Sequence, residues 1–278
     1  MENKNNKIPE FIYGTAWKEE ATAQLTKKSV KAGFRAIDTA NQKKHYREDF
    51  VGQALLELFE EGVKRESLFL QSKFTYSGGQ DHRLPYDPND KISTQVISSF
   101  ESTLKNLNTD YIDSYLLHGP SASNFVSDSD WEVWETFENL YKAGKAKMLG
   151  VSNVTVHQVK ELVEKAKIKP VFVQNRCFAN QGWDKPVREY CLSNQIIYQG
   201  FSLLTANPQV VKSPSVSTIA AKLRVTPQQV VFRFAKQIGI LALTGTTSEL
   251  HMKEDLAILN FELTLDEMSS IATLSKHL

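Results

Sequence analysis

Phe-Arg-Ala-Ile-Asp at residues 34–38 is a short, largely apolar run that ends in a carboxylate. Two later runs share this pattern: residues 68–73 end in Lys73 and residues 111–118 end in His118. Short apolar runs separated by amphipathic helical stretches are typical of buried parallel strands in an α/β protein. The pattern therefore predicts alternating strands and helices, with an ionisable residue at three successive strand ends.

The same alternation continues along the whole chain and gives eight strand–helix units. The predicted strands end near Trp17, Asp38, Lys73, His118, Ser152, Asn175, Phe201 and Leu243. The predicted helices cover 21–32, 50–62, 92–106, 131–143, 156–166, 185–194, 227–239 and 248–259, with further helices at 216–223 and 264–274. Within 278 residues and without a linker or a shift in composition, this order predicts a single-domain (β/α)8 TIM barrel. Residues 1–8 are expected to form a disordered or extended N-terminal tail.

Ionisable residues at the strand ends predict a catalytic pocket. The C-terminal ends of barrel strands converge on one rim, so we expect Asp38, Lys73 and His118 to lie together. Tyr46 follows in the loop after Asp38. An ordinary tyrosine has a pKa near 10, and a neighbouring ammonium is expected to lower it enough for Tyr46 to act as a general acid. Asp38 would hold Lys73, His118 would orient a substrate carbonyl, and His45 is interpreted as a spacer.

Four motifs resemble those of aldo-keto reductases. They are Gly-Phe-Arg-Ala-Ile-Asp-Thr-Ala at 33–40, Gln-Ser-Lys at 71–73, Asp-Tyr-Ile-Asp-Ser-Tyr-Leu-Leu-His at 110–118 and Leu-Gly-Val-Ser-Asn at 149–153. The resemblance extends from Gly14 to about Asp266 and implies an oxidoreductase that reduces aldehydes or ketones by hydride transfer from a nicotinamide cofactor. It also implies a catalytic tetrad, which consists of Asp38, Tyr46, Lys73 and His118.

The loop that carries Tyr46 departs from the usual pattern of the family. Most members have the tyrosine where this chain has Lys43, and the present loop is longer. A longer loop of this kind, together with Gly-Gly-Gln-Asp…Arg-Leu-Pro-Tyr-Asp-Pro at 78–88, is similar to a subset of the family.

The resemblance further implies a set of cofactor-binding residues near the strand ends. They are Thr15, Ala16, Asp38, Ser152, Asn153, Gln174, Phe201, Ser202, Leu204, Thr246, Thr247, His251, Glu254 and Asp255. Ser152, Asn153 and Gln174 would bind the nicotinamide carboxamide, which needs both donors and acceptors. Phe201 would stack on the ring in place of the usual tyrosine.

The parts of the predicted site that would bind the cofactor phosphate and the substrate differ from those of most family members. Gly245 and His251 stand where the family usually has the lysine and arginine that hold the 2′-phosphate of NADP, so NADPH is expected and NADH remains an alternative. Gly119 follows His118 where many members have tryptophan, and the chain ends soon after the last helix, which predicts an open pocket. The residues expected to wall it are Trp17, Tyr76, Tyr86, Gly119 and Trp183.

Two other functions stay open at this level. A strand-end lysine suits a Schiff-base aldolase with Lys73 as the nucleophile, although Asp38 would keep that lysine charged. The barrel could also be a cofactor-binding regulatory protein with little turnover, against which the intact tetrad argues.

Composition limits the partners and the location. The net charge of +1 argues against a nucleic-acid or membrane-surface partner, so a small carbonyl compound is the expected partner. Monomer and dimer both stay open.

Cys177 and Cys191 are the only cysteines, and they form no CxxC motif. Because no signal peptide is recognised either, the sequence predicts a reduced, cytoplasmic protein without a disulfide. No metal-binding motif is present, and a metal site is not expected.

Overall fold

Eight parallel strands close into one barrel in a computed structural model, which describes residues 8–274. The strands are β1 Ile12–Gly14, β2 Ala36–Asp38, β3 Phe69–Phe74, β4 Ser114–Leu117, β5 Leu149–Ser152, β6 Phe172–Arg176, β7 Ile197–Phe201 and β8 Ile240–Thr244. Each strand pairs with the next along the chain, and β8 pairs with β1. The (β/α)8 barrel predicted from the sequence is therefore confirmed. Residues 1–7 of the predicted tail lie outside the described residues.

Helices alternate with the strands and begin or end within a few residues of their predicted limits, except for a short helix at Pro208–Val211 that the sequence analysis did not predict. They are α1 Thr22–Ala32, α2 Glu48–Glu60, α3 Ile92–Leu107, α4 Asp128–Lys142, α5 Val156–Lys165, α6 Lys185–Ser193, α7 Pro208–Val211, α8 Pro214–Leu223, α9 Pro227–Gln237, α10 Glu249–Leu256 and α11 Leu265–Leu274. Helix α4 begins before the predicted residue 131 because Ser127 is its N-cap. The Ser127 side chain accepts from the Asp130 N–H and the Asp130 carboxylate accepts from the Ser127 N–H.

Strand β1 ends at Gly14 rather than near Trp17. Trp17 has a left-handed φ of 60°, and its N–H donates to the His45 carbonyl at 2.7 Å rather than to a neighbouring strand. Trp17 therefore belongs to the loop that follows β1.

Side chains inside the barrel form layers, because alternate residues of a strand point to the same face. Nearest the strand N-termini, Phe69 and Phe172 pack edge to face with 5.7 Å between ring centroids. Two residues further along β3 and β6, the layer is made of glutamines. Lys73 and Arg176 follow in the same strands and reach the C-terminal rim, where the sequence predicted the site.

Both cysteines are free and buried. Within residues 8–274, no helix is long and apolar enough to cross a membrane, and no group of three or more His, Cys, Asp or Glu side chains could hold a metal ion.

Candidate active site

A buried ion pair joins β2 to β3 at the centre of the rim. The fully buried Lys73 ammonium lies 2.7 Å from each carboxylate oxygen of Asp38 and 2.9 Å from the carbonyl oxygen of Thr39. Burial lowers the pKa of Lys73, and the adjacent Asp38 carboxylate opposes that shift. Each of the three ammonium protons of Lys73 thus has an oxygen acceptor.

Two buried glutamines, joined by a third, also hydrogen-bond the Asp38 carboxylate. Gln71 and Gln174 donate to Asp38 Oδ1 at 2.7 and 3.1 Å, and both also donate to Gln199 Oε1 at 2.8 Å. Sequence analysis missed Gln71 and Gln199, although a polar residue inside an apolar strand is a usable signal. Because Gln174 Oε1 has no hydrogen bond among the described residues, it is available to a ligand amide.

Tyr46 lies beside this pair, in a turn closed by the hydrogen bond from its N–H to the Gln42 carbonyl at 2.9 Å. Its ring packs edge to face on His118 with 5.9 Å between centroids, and Lys73 Nζ lies 5.3 Å from the ring centroid. Burial, with a smaller contribution from the Asp38 carboxylate, raises the pKa of Tyr46 above its ordinary value. The predicted lowering of this pKa is therefore wrong, since burial and the Asp38 carboxylate both raise it. The phenol is fully protonated at neutral pH.

The loop between β3 and α3 braces the loop that carries the tyrosine. Gln42 Nε2 donates to the Gly79 carbonyl at 2.6 Å, and Gln80 Nε2 donates to the Asn41 carbonyl at 2.9 Å. Tyr86 donates to the carbonyl of Thr75 at 2.6 Å. Tyr86 was expected to wall the substrate pocket, but its bond stabilises the β3–α3 loop instead. That loop in turn supports the loop that carries Tyr46.

His118 is neutral and oriented by Thr75. The Thr75 hydroxyl lies 2.7 Å from His118 Nδ1, and burial, reinforced by the charges of Lys73 and His45, lowers the pKa of His118 to about 3. If the hydroxyl donates to Nδ1, the ring proton resides on Nε2, which can then donate to a substrate carbonyl oxygen.

The depressed pKa of His118 predicts how stability depends on pH. The unfolded imidazole takes up a proton near pH 6.5 and the folded one only near pH 3, so stability conferred by neutral His118 is present above pH 6.5 and lost as the pH falls. Between pH 6.5 and 5, the unfolding free energy of wild type should fall by about 1.5 kcal/mol more than that of His118→Gln. Urea denaturation at both pH values measures this. His157→Gln, at an exposed position of α5, should behave like wild type, and a His118→Gln curve parallel to wild type would contradict the prediction.

A cavity of about 570 Å³ opens above these residues. Of the tetrad, Asp38, Tyr46 and His118 line it, whereas Lys73 lies beneath. The predicted cofactor residues that line it, besides Asp38, are Ala16, Ser152, Asn153, Gln174, Phe201, Ser202, Leu204 and Thr246. The structure therefore brings most of that set to one surface.

Five predicted cofactor residues lie outside the cavity lining. Thr15 is fully buried and donates to the Asp38 carbonyl at 3.0 Å. Asp255 is buried and accepts from the Thr244 hydroxyl at 2.8 Å, and burial raises its pKa to about 6. Both join structural elements. Thr247 and His251 are exposed, and Glu254 is half-buried on α10.

The predicted substrate wall needs correction at four positions. Trp183 is 2% exposed and packs on Phe234 with 5.1 Å between ring centroids, so it belongs to the core. Tyr76 donates to Asp130 at 2.8 Å and joins the β3–α3 loop to α4, whereas Tyr86 donates to the Thr75 carbonyl within that loop. Gly119 does not line the cavity either. The three aromatic side chains are held away from the cavity by these contacts.

Trp17 does line the cavity, and its indole is 68% exposed. His45 lies against it with 3.9 Å between ring centroids and also lines the cavity. The interpretation of His45 as a spacer is therefore wrong, because the longer loop turns its ring inward. Arg176, at the end of β6, is a further lining residue that sequence analysis missed. Its position two residues after Gln174 was a usable signal.

A (β/α)8 barrel with a buried Asp–Lys pair, a tyrosine and a neutral histidine around one cavity is the arrangement of a barrel enzyme with acid–base chemistry at its strand ends. The sequence profile of the Aldo/keto reductase family matches residues 11–276. The chain belongs to this family.

Named relatives and solved structures agree with that assignment. The chain is 32% identical to glyoxal reductase of Bacillus subtilis over 257 residues, covering 92% of this chain and 84% of the relative. It is 29% identical to prostaglandin F synthase 1 of Bos taurus, covering 99% and 91%. The structure of a Bombyx mori aldo-keto reductase in complex with NADP superimposes with a TM-score of 0.82 at 26% identity, covering 98% and 90%.

Proposed function

We propose that this protein reduces aldehydes or ketones to alcohols with a nicotinamide cofactor, and that Tyr46 is the general acid. The observation that carries the proposal is the packing of Tyr46 on His118 at the cavity surface, directly above the buried Asp38–Lys73 pair. Two side chains able to donate hydrogen bonds meet there, as the oxygen of a polarised carbonyl requires.

The cavity has the chemical groups that a nicotinamide cofactor needs. Gln174 Oε1 is free to accept from a carboxamide, and the Ser152 hydroxyl has no acceptor among the described residues and is free to donate. Phe201 offers an aromatic face in the same cavity. Ser202, Leu204 and Thr246 follow β7 and β8, where barrels commonly bind phosphate. These residues would hold the cofactor, which supplies the hydride.

The protein's own groups perform the proton chemistry in this proposal. His118, through Nε2–H, fixes the carbonyl oxygen, and Tyr46 transfers its phenolic proton to that oxygen as negative charge develops. The Lys73 ammonium, 5.3 Å from the ring centroid, then stabilises the phenolate. Asp38 keeps Lys73 in place. Burial favours neutral His118 and protonated Tyr46 at pH 7. Neither group therefore has to gain or lose a proton before the reaction begins.

The geometry disfavours the aldolase alternative. A Schiff base needs a neutral and accessible amine, whereas Lys73 is fully buried and donates to three oxygens. Steady-state oxidation of NADPH and NADH across a panel of aldehydes, ketones and quinones tests the proposed function. Carbonyl-dependent oxidation is expected, and its absence across the panel would favour the regulatory barrel.

For the cofactor phosphate, we propose NADPH rather than NADH. The Lys18 side chain hydrogen-bonds the Gly245 carbonyl, and a Cβ at Gly245 would lie 3.4 Å from Lys18 Nζ. The ammonium thus stands beside the space that a side chain at position 245 would fill. Burial lowers the pKa of Lys18, so a phosphate at this end would stabilise its charge. The NADP complex of the Bombyx mori relative supports the same choice.

Gly245→Lys tests this site. Because the new ammonium would repel Lys18, we expect a small gain in NADPH affinity in the wild-type background. In a Lys18→Met background the gain should reach about tenfold, the size of one charge-assisted hydrogen bond, with NADH affinity nearly unchanged. Calorimetric titration of both cofactors measures it. Ser193→Lys adds the same charge at an exposed position of α6 and should change neither affinity. If Gly245→Lys leaves the ratio of NADPH to NADH affinity unchanged in both backgrounds, the prediction is contradicted.

A further inference from the structure

The cavity carries an uncompensated positive charge at the end of β6. Arg176 is exposed to the cavity that it lines. Among residues 8–274 its guanidinium has no hydrogen bond and no ion pair; its contacts are the faces of two aromatic rings. Arg176 Cζ lies 5.7 Å from the centroid of the Phe201 ring and 6.0 Å from that of Phe178.

The other ionisable groups of the cavity do not cancel this charge. The Asp38 carboxylate is paired with Lys73 through both oxygens. His118 is neutral because burial lowers its pKa to about 3, and burial also lowers the pKa of His45. The Lys18 ammonium, bound to the carbonyl of the cavity-lining Gly245, adds a second positive charge.

The position of Arg176 relates that charge to the proposed nicotinamide site. Residues 174 and 176 point to the same face of β6, and Gln174 is a proposed carboxamide ligand. Phe201, the proposed stacking partner, lies against the guanidinium. Arg176 therefore borders the part of the cavity where the nicotinamide ring would sit.

We propose that Arg176 makes the site prefer the reduced cofactor over the oxidised one; this inference rests on the proposed function. The reduced nicotinamide ring is neutral, whereas the oxidised ring carries one positive charge. Repulsion between that charge and the guanidinium, in a protein interior of effective dielectric about 20, weakens binding of the oxidised form alone. The overall equilibrium of the reaction is unchanged, but the oxidised product leaves the site more readily after hydride transfer.

Calorimetric titration of the folded protein with NADPH, NADP⁺ and 2′-phospho-ADP-ribose tests the inference. Arg176→Gln should lower the ratio of the NADP⁺ to the NADPH dissociation constant roughly five- to tenfold. The dissociation constant of 2′-phospho-ADP-ribose, which lacks the nicotinamide, should not change. Arg176→Lys keeps the charge and should keep the wild-type ratio.

Lys18→Gln is the matched control, because it removes a cation near the proposed phosphate end. It should weaken the binding of NADPH, NADP⁺ and 2′-phospho-ADP-ribose equally, and the ratio of the NADP⁺ to the NADPH dissociation constant should not change. An unaltered ratio of dissociation constants in Arg176→Gln would overturn the inference. An equal loss of affinity for all three ligands would also overturn it, because Arg176 would then be a phosphate ligand. Wild-type protein that binds neither dinucleotide would overturn the proposed function as well.

Discussion

Tyr46→Phe is expected to reduce carbonyl turnover by about 10²–10⁴-fold, the usual contribution of a general acid. The substitution removes the phenolic proton and keeps the ring that packs on His118 and lies 5.3 Å from Lys73 Nζ. Cofactor binding should therefore persist. The comparison needs steady-state rates of carbonyl reduction together with a dissociation constant for NADPH.

Tyr141→Phe is the matched control for that variant. Tyr141 lies on α4 and is 37% exposed, so losing its hydroxyl should leave both turnover and affinity unchanged. Turnover of Tyr46→Phe close to wild type would show that another group delivers the proton. Loss of cofactor binding along with turnover would instead point to collapse of the 41–47 loop.

Lys73→Met should be the most destabilising single change at the site. It leaves the Asp38 carboxylate buried beside Gln71 and Gln174 without a counter-charge, and breaking a buried pair in this way costs about 3–5 kcal/mol. Turnover should fall with it, because nothing remains to stabilise the Tyr46 phenolate. Urea denaturation measures the loss of stability.

Two comparisons isolate the buried charge as the cause. Asp38→Asn combined with Lys73→Met removes both charges and should recover much of the lost stability, although not the activity. Lys165→Met, which breaks the exposed pair with Glu161 at 2.8 Å, should cost less than about 1 kcal/mol. Equal stability of Lys73→Met and wild type would contradict the prediction.

Much of the fold and of the catalytic set could be predicted from local patterns. Apolar runs such as 68–73 mark buried strands, and the C-termini of parallel barrel strands must meet at one rim. Placing Asp38, Lys73 and His118 around one cavity therefore required no knowledge of loops. Tyr46 followed from the resemblance, because it is the only phenol in the loop after Asp38.

The details of the cavity depended on contacts between distant parts of the chain. Tyr86 and Trp183 have suitable side chains for a pocket wall, but Thr75 and Phe234 hold them elsewhere. His45 reaches the cavity only because its loop folds against Trp17. The direction of the Tyr46 pKa shift also depended on the structure, because burial is its largest cause and burial cannot be read from spacing.

The sequence by itself determined the barrel, its strand order and the residues that share its rim, because hydrophobic periodicity and strand polarity are local properties of the chain. Only the tertiary structure decided which side chains face the cavity and which charges are compensated. The sequence also predicted the pairing of Asp38 with Lys73. The unpaired guanidinium of Arg176, however, follows from distances between strands, and the field inside a cavity depends on those distances and on the water excluded from it.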